Sequence, residues 1–348
     1  MTSDLRAVEP AMPTRRFGRR GFAVTLVGFG GSPVGNLSHP MTEEQAQNLL
    51  FDAWERGIRF FDTAPLYGHG LSEHRIGHAL LHRPRDEYVL VTKVGRRLRP
   101  ARPGTFPTGS WHEAAPFRVE FDYSYDGAMR QVEDSLHRMC NERIDVILIH
   151  DIDVWTHGPA AQPERFREAM SGAYPAIARL RDEGVVRAIG IGVNESAVCL
   201  AALREADLDC ILLAGRYSLL EQEPLNELLP LCERLGVAVI VGGVYNSGIL
   251  AKGAVDEARY NYARAAPEVL DRVRRMQSIC ESYDTPLAAA AIQFVAAHPA
   301  VANVCLGVRT VEQEAVNLAS LRRRIPASLW GELKAARLIR RDAPVPAA

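Results

Sequence analysis

Eight short apolar runs recur along this chain with helical stretches between them, and that alternation narrows the possible folds more than any other feature. The runs are Thr25–Gly28, Arg59–Asp62, Tyr88–Lys93, Asp145–His150, Ala188–Val193, Cys210–Leu213, Ala238–Val241 and Asn303–Leu306. They return about every 30 to 40 residues, the spacing of repeated βα units. Amphipathic periodicity fills the gaps, as in Glu43–Arg56, Gly127–Met139, Ser196–Glu205 and Asn226–Leu235. Thr42 before Glu43 and Glu44 predicts a helix start, while Gly57, Gly184 and Gly236 predict helix stops. Eight strands alternating with helices close into a parallel (β/α)8 TIM barrel, and 348 residues suits one such barrel with insertions. A doubly wound sheet would need a Gly-x-Gly-x-x-Gly phosphate turn opening a helix. Gly28-Phe-Gly30-Gly-Ser-Pro33 and Gly190-Ile-Gly192-Val-Asn-Glu195 both fail at the third glycine. The expectation is one α/β barrel domain over 15–341, entered through an N-terminal β-hairpin, with extra loops at its C-terminal face and flexible ends at 1–14 and 342–348.

The formal charge of −1 gives no overall attraction to nucleic acid or to a membrane surface. Arginines cluster at Arg15, Arg16, Arg19 and Arg20 and again at Arg322 to Arg324, and both clusters read as solvated surface. Met1 to Pro13 has no apolar core of a signal peptide, and no apolar run is long enough to span a bilayer, so a cytoplasmic protein is expected. The six cysteines are scattered in mostly apolar surroundings without a Cys-x-x-Cys pair, which fits free thiols in a reducing compartment. Neither cysteines nor histidines have ligand spacing, and no metal site is expected. Oligomeric state is not legible.

Three of the runs end on chemically active side chains. Arg59-Phe-Phe-Asp delivers Asp62, with Tyr67 presented just past a turn through Pro65. The next two runs close on Lys93 and on His150. In a parallel α/β protein the carboxyl ends of strands converge on one site. An acid, a phenol, an amine and an imidazole gathered there suit proton transfer to or from a carbonyl or alcohol oxygen. An unperturbed phenol, with a pKa of about 10, is a poor acid near neutrality. A neighbouring lysine cation stabilises the phenolate, and an aspartate beside the lysine keeps the amine charged.

This set of residues, and the chain from about Phe17 to Arg340, resembles the aldo-keto reductase superfamily. Phe121-Asp-Tyr-Ser-Tyr-Asp-Gly-Ala-Met-Arg and His150-Asp-Ile-Asp-Val-Trp-Thr-His-Gly are similar to a branch of bacterial sugar 1-dehydrogenases. That branch holds D-threo-aldose 1-dehydrogenases (L-fucose dehydrogenases), with pyridoxal 4-dehydrogenases close by. The resemblance implies a catalytic tetrad of Asp62, Tyr67, Lys93 and His150, with Tyr67 as acid or base, and a nicotinamide cofactor, NAD with NADP as the other possibility. It assigns the adenosine half of the cofactor to Gly307, Arg309, Gln313 and Asn317, at a strand-to-helix junction suited to phosphate. The pyrophosphate loop carries over as Gly242 to Leu250, with Ser247, Gly248 and Leu250 as contacts, and Gly31, Asp62, Asn194 and Tyr217 complete the cofactor set. Two departures are informative. Gln313 stands where NADP-specific relatives often carry an arginine, and Ala214 stands where most carry the glutamine that binds the carboxamide. The implied reaction is oxidation of an aldose such as L-fucose at C1 to the lactone. Oxidation of pyridoxal, or a non-catalytic barrel that senses nicotinamide redox state, are the alternatives.

Two connections lie next to this chemistry. Gly95 to Asp122, rich in proline, glycine and arginine, predicts a long irregular insertion over the active site, either a substrate or cofactor lid with Trp111 as a substrate contact or a disordered insertion. Arg96, Arg97, Arg99 and Arg102 near its start either engage the cofactor pyrophosphate or remain solvated. Asp151 to Gln162 places Trp155 beside His150, where it either packs on a sugar ring or anchors the loop to the barrel.

Overall fold

The computed structural model describes residues 11–261 and 263–347, so the flexible start expected for 1–14 lies mostly outside the described residues. An N-terminal hairpin of β1 (Thr14–Arg16) and β2 (Ala23–Thr25) precedes the barrel. The barrel strands are β3 (Val27–Gly30), β4 (Phe60–Asp62), β5 (Val89–Val94), β8 (Val146–His150), β9 (Ala188–Val193), β10 (Cys210–Ala214), β11 (Ala238–Gly242) and β14 (Val301–Leu306). All neighbours are parallel, and β14 pairs with β3 to close the cylinder. Two further antiparallel pairs stand outside it, β6 (Arg96–Pro100) with β7 (Phe117–Phe121) and β12 (Arg259–Tyr260) with β13 (Ala263–Arg264).

The helices form the outer layer. They are α1 (Glu43–Glu55), α2 (Leu71–Leu80), α3 (Tyr125–Met139), α4 (Val154–Glu168), α5 (Tyr174–Asp182) and α6 (Ser196–Glu205). The rest are α7 (Leu228–Leu235), α8 (Ile249–Lys252), α9 (Pro267–Ser282), α10 (Leu287–Ala296), α11 (Val311–Arg322) and α12 (Ala327–Ala335). Thr42 caps α1 reciprocally with Gln45, as its sequence predicts.

Strand periodicity divides the core in two. Phe60, Val89, Val91, Val146, Leu148 and Ile240 pack together inside the barrel. Their neighbours Phe61, Leu90, Ile147, Ile149 and Val241 pack outward against the helices. Since successive side chains alternate, the next position after Phe60, Val91 and Leu148 on the interior face is Asp62, Lys93 and His150. The fold therefore aims all three into the mouth of the barrel.

The opposite end is plugged. Phe17 stacks on Phe22 with ring centres 4.8 Å apart and lies 6.5 Å from Phe60. Arg15 donates to the carbonyls of Ala296, His298 and Val301 at 2.5, 3.0 and 2.6 Å, fastening the first strand to the last quarter of the chain.

Three expectations need correction. The segment after Lys93 is framed by a hairpin, with Arg96 opposite Phe121 and Pro100 opposite Phe117, and is irregular only over 101–116 between the two strands. Gly95, at φ 108°, makes the turn into it, and a Cβ there would stand 2.3 Å from the Tyr123 ring. The residues between the two strands fold over the mouth, where Leu37 bridges Trp111 and the Ser38 N–H donates to Ser110 at 2.8 Å. The stretch from Asp151 is no loop: Asp153 accepts from the Thr156 N–H at 3.0 Å and starts α4. At the other end, Ala343 is buried and its carbonyl accepts from Lys334 at 2.8 Å, so the tail expected to be loose from 342 begins as packed chain.

Candidate active site

Strand β4 ends on Asp62, and a tight turn follows in which the Tyr67 N–H donates to Ala64 at 3.0 Å. That turn brings the phenol ring over Lys93, whose ammonium lies 4.7 Å from the ring centre. The same ammonium donates to Asp62 Oδ1 at 2.7 Å, Asp62 Oδ2 at 2.9 Å and the Thr63 carbonyl at 2.8 Å. All three donors of a buried lysine are thus engaged, which is how an interior ion pair offsets its desolvation. Burial raises the Asp62 carboxyl above its ordinary range, and the Lys93 cation pulls against that rise.

His150 faces the phenol edge-on, with ring centres 5.9 Å apart. Burial holds this imidazole well below its usual pKa, and the Lys93 and Arg96 cations push it the same way. It is therefore a neutral hydrogen-bonding ring at physiological pH. Its Nδ1 is buried without a partner, and its Nε2 lies 3.5 Å from Asp151 Oδ2. The Tyr123 hydroxyl meets the His150 and Asp151 carbonyls at 2.8 and 3.0 Å, fixing the backbone under the ring.

These groups line a cavity of about 440 Å³ at the carboxyl ends of the strands. Asp62, Tyr67, Lys93 and His150 meet there, as do Trp111, Trp155, Asn194 and Gly307. Trp111 packs on Tyr67 with centres 5.5 Å apart, while Trp155 is 52% exposed at the rim. Asn194 is turned toward Asp153, which accepts from its backbone N–H at 2.7 Å and from its Nδ2 at 3.3 Å. A wider groove of about 620 Å³ runs between Glu223, Arg272 and Arg340 and contains none of the strand-end residues. The Arg272 guanidinium there is taken up by the Leu220 and Leu338 carbonyls.

The other cofactor candidates stand outside the cavity wall. Gly31 is satisfied by protein: its N–H donates to Asp62 at 2.7 Å and its carbonyl accepts from Ser72 at 2.8 Å. Tyr217 is fully buried against Phe294 and His298. Ser247 and Gly248 form the turn that leads into α8, and Leu250 is buried within that helix. Gln313 folds back so that its Oε1 accepts from the Arg309 N–H at 3.0 Å, and Thr310 caps the helix above it. Asn317 Oδ1 accepts from the Tyr245 hydroxyl at 2.9 Å, joining α11 to the turn after β11.

Sequence reasoning missed Asp151 as a cavity residue and left Arg96 as a phosphate ligand or solvated. Instead Arg96 Nη2 donates to Asp151 Oδ2 at 2.6 Å. Of the other arginines at the hairpin base, Arg97 lies 3.7 Å from Asp122 and Arg99 3.5 Å from Glu120. The adjacency of Asp151 to His150 was the signal available. Among the described residues no cluster of histidine, cysteine or acidic side chains could hold a metal, and no helix is long and apolar enough to cross a membrane.

Residues are present for a dinucleotide. The strand ends of β9, β10 and β11 offer Gly192, Ala214, Gly242 and Gly243, four positions with no side chain longer than a methyl group, beside Val193 and Leu212. Nearby, the His39 imidazole is held below its ordinary range by the positive charge of Arg309 first, then by slight burial and by His112, Lys252 and Arg259. That field suits a diphosphate.

A family model described as the aldo/keto reductase family matches residues 26–337. A pyridoxal 4-dehydrogenase of Microbacterium luteolum is 41% identical over 338 residues, covering 94% of this chain and 98% of its own. A D-threo-aldose 1-dehydrogenase of a Pseudomonas species is 41% identical over 326 residues, covering 92% and 96%. Among solved structures, the holo form of an aldo-keto reductase from Bacillus halodurans superposes with a TM-score of 0.73 at 26% identity, covering 96% of this chain and 98% of that one.

Proposed function

This chain belongs to the aldo/keto reductase family, and from that premise we propose that it oxidises an aldose at C1 to the lactone, L-fucose or a D-threo relative being the expected sugar. It is an oxidoreductase of CH–OH groups that works with a nicotinamide cofactor. The observation that carries the finer reading is the Tyr67 ring held between the Lys93 ammonium at 4.7 Å and the His150 imidazole at 5.9 Å.

In this reading Tyr67, as phenolate, takes the proton of the anomeric hydroxyl. Lys93 stabilises that phenolate by its positive charge, and Asp62 keeps the lysine charged inside the barrel. Neutral His150 donates a hydrogen bond to the same oxygen and sets its angle. The bound nicotinamide supplies the hydride acceptor for C1. Gly192, Ala214, Gly242 and Gly243 are assigned to the nicotinamide end, and the cations around His39 to the diphosphate. NAD is the preferred form, because the Gln313 amide is neutral and its oxygen is already committed to the Arg309 N–H.

Pyridoxal is the second substrate reading. The pyridoxal 4-dehydrogenase relative supports it, as does the Tyr67–Trp111 ring pair at 5.5 Å, which suits a planar aromatic ring. A nicotinamide absorbance assay over a panel of aldoses and pyridoxal tests both readings. Turnover of L-fucose-like sugars with NAD supports the first; turnover of pyridoxal alone replaces it with the second.

A further inference from the structure

We propose that the Arg96–Asp151 ion pair recognises the hydroxyl on the carbon next to the reacting one, and thereby selects neutral polyhydroxy substrates over those that bring an anionic oxygen beside the reacting one. The proposal deepens the dehydrogenase reading above and rests on it.

The two residues reach the cavity from separate elements. Arg96 opens β6 and Asp151 directly follows β8. Their side chains are only 12% and 11% exposed. Nη2 and Nε of Arg96 both donate to one carboxylate oxygen, Oδ2, at 2.6 and 3.1 Å. The guanidinium lies 4.7 Å from the Phe121 ring centre, which fixes its plane. Asp151 has a φ of 52°, its N–H donates to Gly192 at 2.9 Å, and its carbonyl accepts from the Tyr123 hydroxyl. A left-handed aspartate held at both backbone ends is a positioned group rather than a wandering surface acid.

The geometry of the pair leaves vacancies of a particular kind. With both bonds falling on Oδ2, Asp151 Oδ1 and Arg96 Nη1 have no protein hydrogen-bond partner among the described residues. Both residues line the cavity that holds His150, and Oδ2 is 3.5 Å from His150 Nε2. An oxygen hydrogen-bonded to that imidazole therefore brings its vicinal oxygen within reach of the pair, because gauche vicinal oxygens stand about a hydrogen bond apart.

A hydroxyl both donates and accepts, so it gives its hydrogen to the carboxylate and takes one from the guanidinium. An anionic oxygen accepts only. It satisfies Arg96 but meets the Asp151 carboxylate, a repulsive element of the kind that discriminates between ligands. In pyridoxal the acidic phenol sits one carbon further out, on the ring carbon ortho to the carbaldehyde, where its oxygen also stands about a hydrogen bond from the reacting oxygen. A deoxy carbon leaves Asp151 Oδ1 and Arg96 Nη1 without a substrate partner. Sites built to bond a hydroxyl reject the analogue lacking it far more strongly than apolar pockets reject a missing methylene.

The test compares kcat/KM for L-fucose, 2-deoxy-L-fucose and pyridoxal, using the full chain with NAD. Wild type should favour L-fucose over its 2-deoxy analogue by about 10³-fold, between the values for a missing methylene and for a missing hydroxyl at a dedicated site. Asp151→Asn should shrink that ratio below about tenfold and raise pyridoxal relative to L-fucose by about tenfold. Arg96→Gln should also shrink the deoxy ratio but lower pyridoxal, because it removes the cation. A wild-type ratio near one overturns the proposal without any variant. So does an equal loss on all three substrates in Asp151→Asn, which would make the pair a structural clamp while the dehydrogenase reading stands. Wild-type turnover of pyridoxal with none of L-fucose overturns it too, and turnover of no sugar and no pyridoxal removes the reading beneath it.

Discussion

Two arcs of the same barrel rim differ sharply. On β4, β5 and β8 the last interior-facing positions hold Asp62, Lys93 and His150, all buried and all charged or polar. On β9, β10 and β11 the matching positions hold Gly192, Ala214 and Gly242. His150 pairs with Gly192 and Ala214 with Gly242, while the β10 partner of Gly192 is Leu212, one interior position below Ala214. One arc crowds hydrogen-bonding groups into a small volume, and the other trims these three positions to a methyl group or less. The contrast teaches that one rim of a barrel can gather polar side chains on one arc and clear space on the other, with no change of fold.

The strongest way to break this contrast is on the crowded arc. Tyr67→Phe, which removes the proton-transfer group that arc surrounds, should lower kcat by about 10² to 10⁴-fold, the usual contribution of a general acid–base group. Cofactor affinity, read by fluorescence titration, should hardly change, and a variant keeping most of its turnover would break the assignment. Lys93→Met strands the buried Asp62 carboxylate, so thermal unfolding should report a loss of about 3 kcal/mol. Its residual oxidation should also need more alkaline pH, because the phenolate loses its neighbouring cation. An unshifted profile would separate Lys93 from Tyr67.

The open arc is sharpened by smaller effects. Ratios of kcat/KM should favour NAD or stand level, and a preference for NADP beyond about tenfold would mean that Arg309 reaches the 2′-phosphate. Ala214→Gln places an amide at a trimmed position and should tighten NAD by about 3- to 10-fold, the worth of one hydrogen bond. No change there would move the carboxamide elsewhere. The least effect belongs to His150. Its depressed pKa keeps it neutral well below the usual imidazole range, so kcat/KM should show no histidine limb from about pH 7.5 to about pH 6. A limb in that window that vanishes in His150→Gln would contradict the burial argument.

The barrel was legible because its strands alternate so regularly that Ala188–Val193 matches to the residue. That Asp62, Lys93 and His150 meet at one mouth was legible because Asp62 and His150 end their strands and Lys93 falls one residue short of the end. The β6–β7 hairpin was not, since Arg96, Arg97 and Arg99 look solvated until their acidic partners arrive from Asp151, Asp122 and Glu120. Nor was α4, where Gly158, Pro159 and Pro163 hide a helix whose start is set by Asp153. For Gln313, the chain marked the position but not the capping bond that turns its oxygen inward. Each miss concerns a partner distant in sequence or a bond invisible to local propensity.

The fastening of Arg15 to Ala296, His298 and Val301 spans between 281 and 286 residues. A chain made from its amino end on a ribosome holds that arginine idle for most of its synthesis. Until β14 emerges, β3 and β11 each lack their partner, leaving two bare sheet edges on a long nascent chain. The barrel therefore closes only once β14 has emerged. Fragments ending before Leu306 should associate through those edges instead of folding.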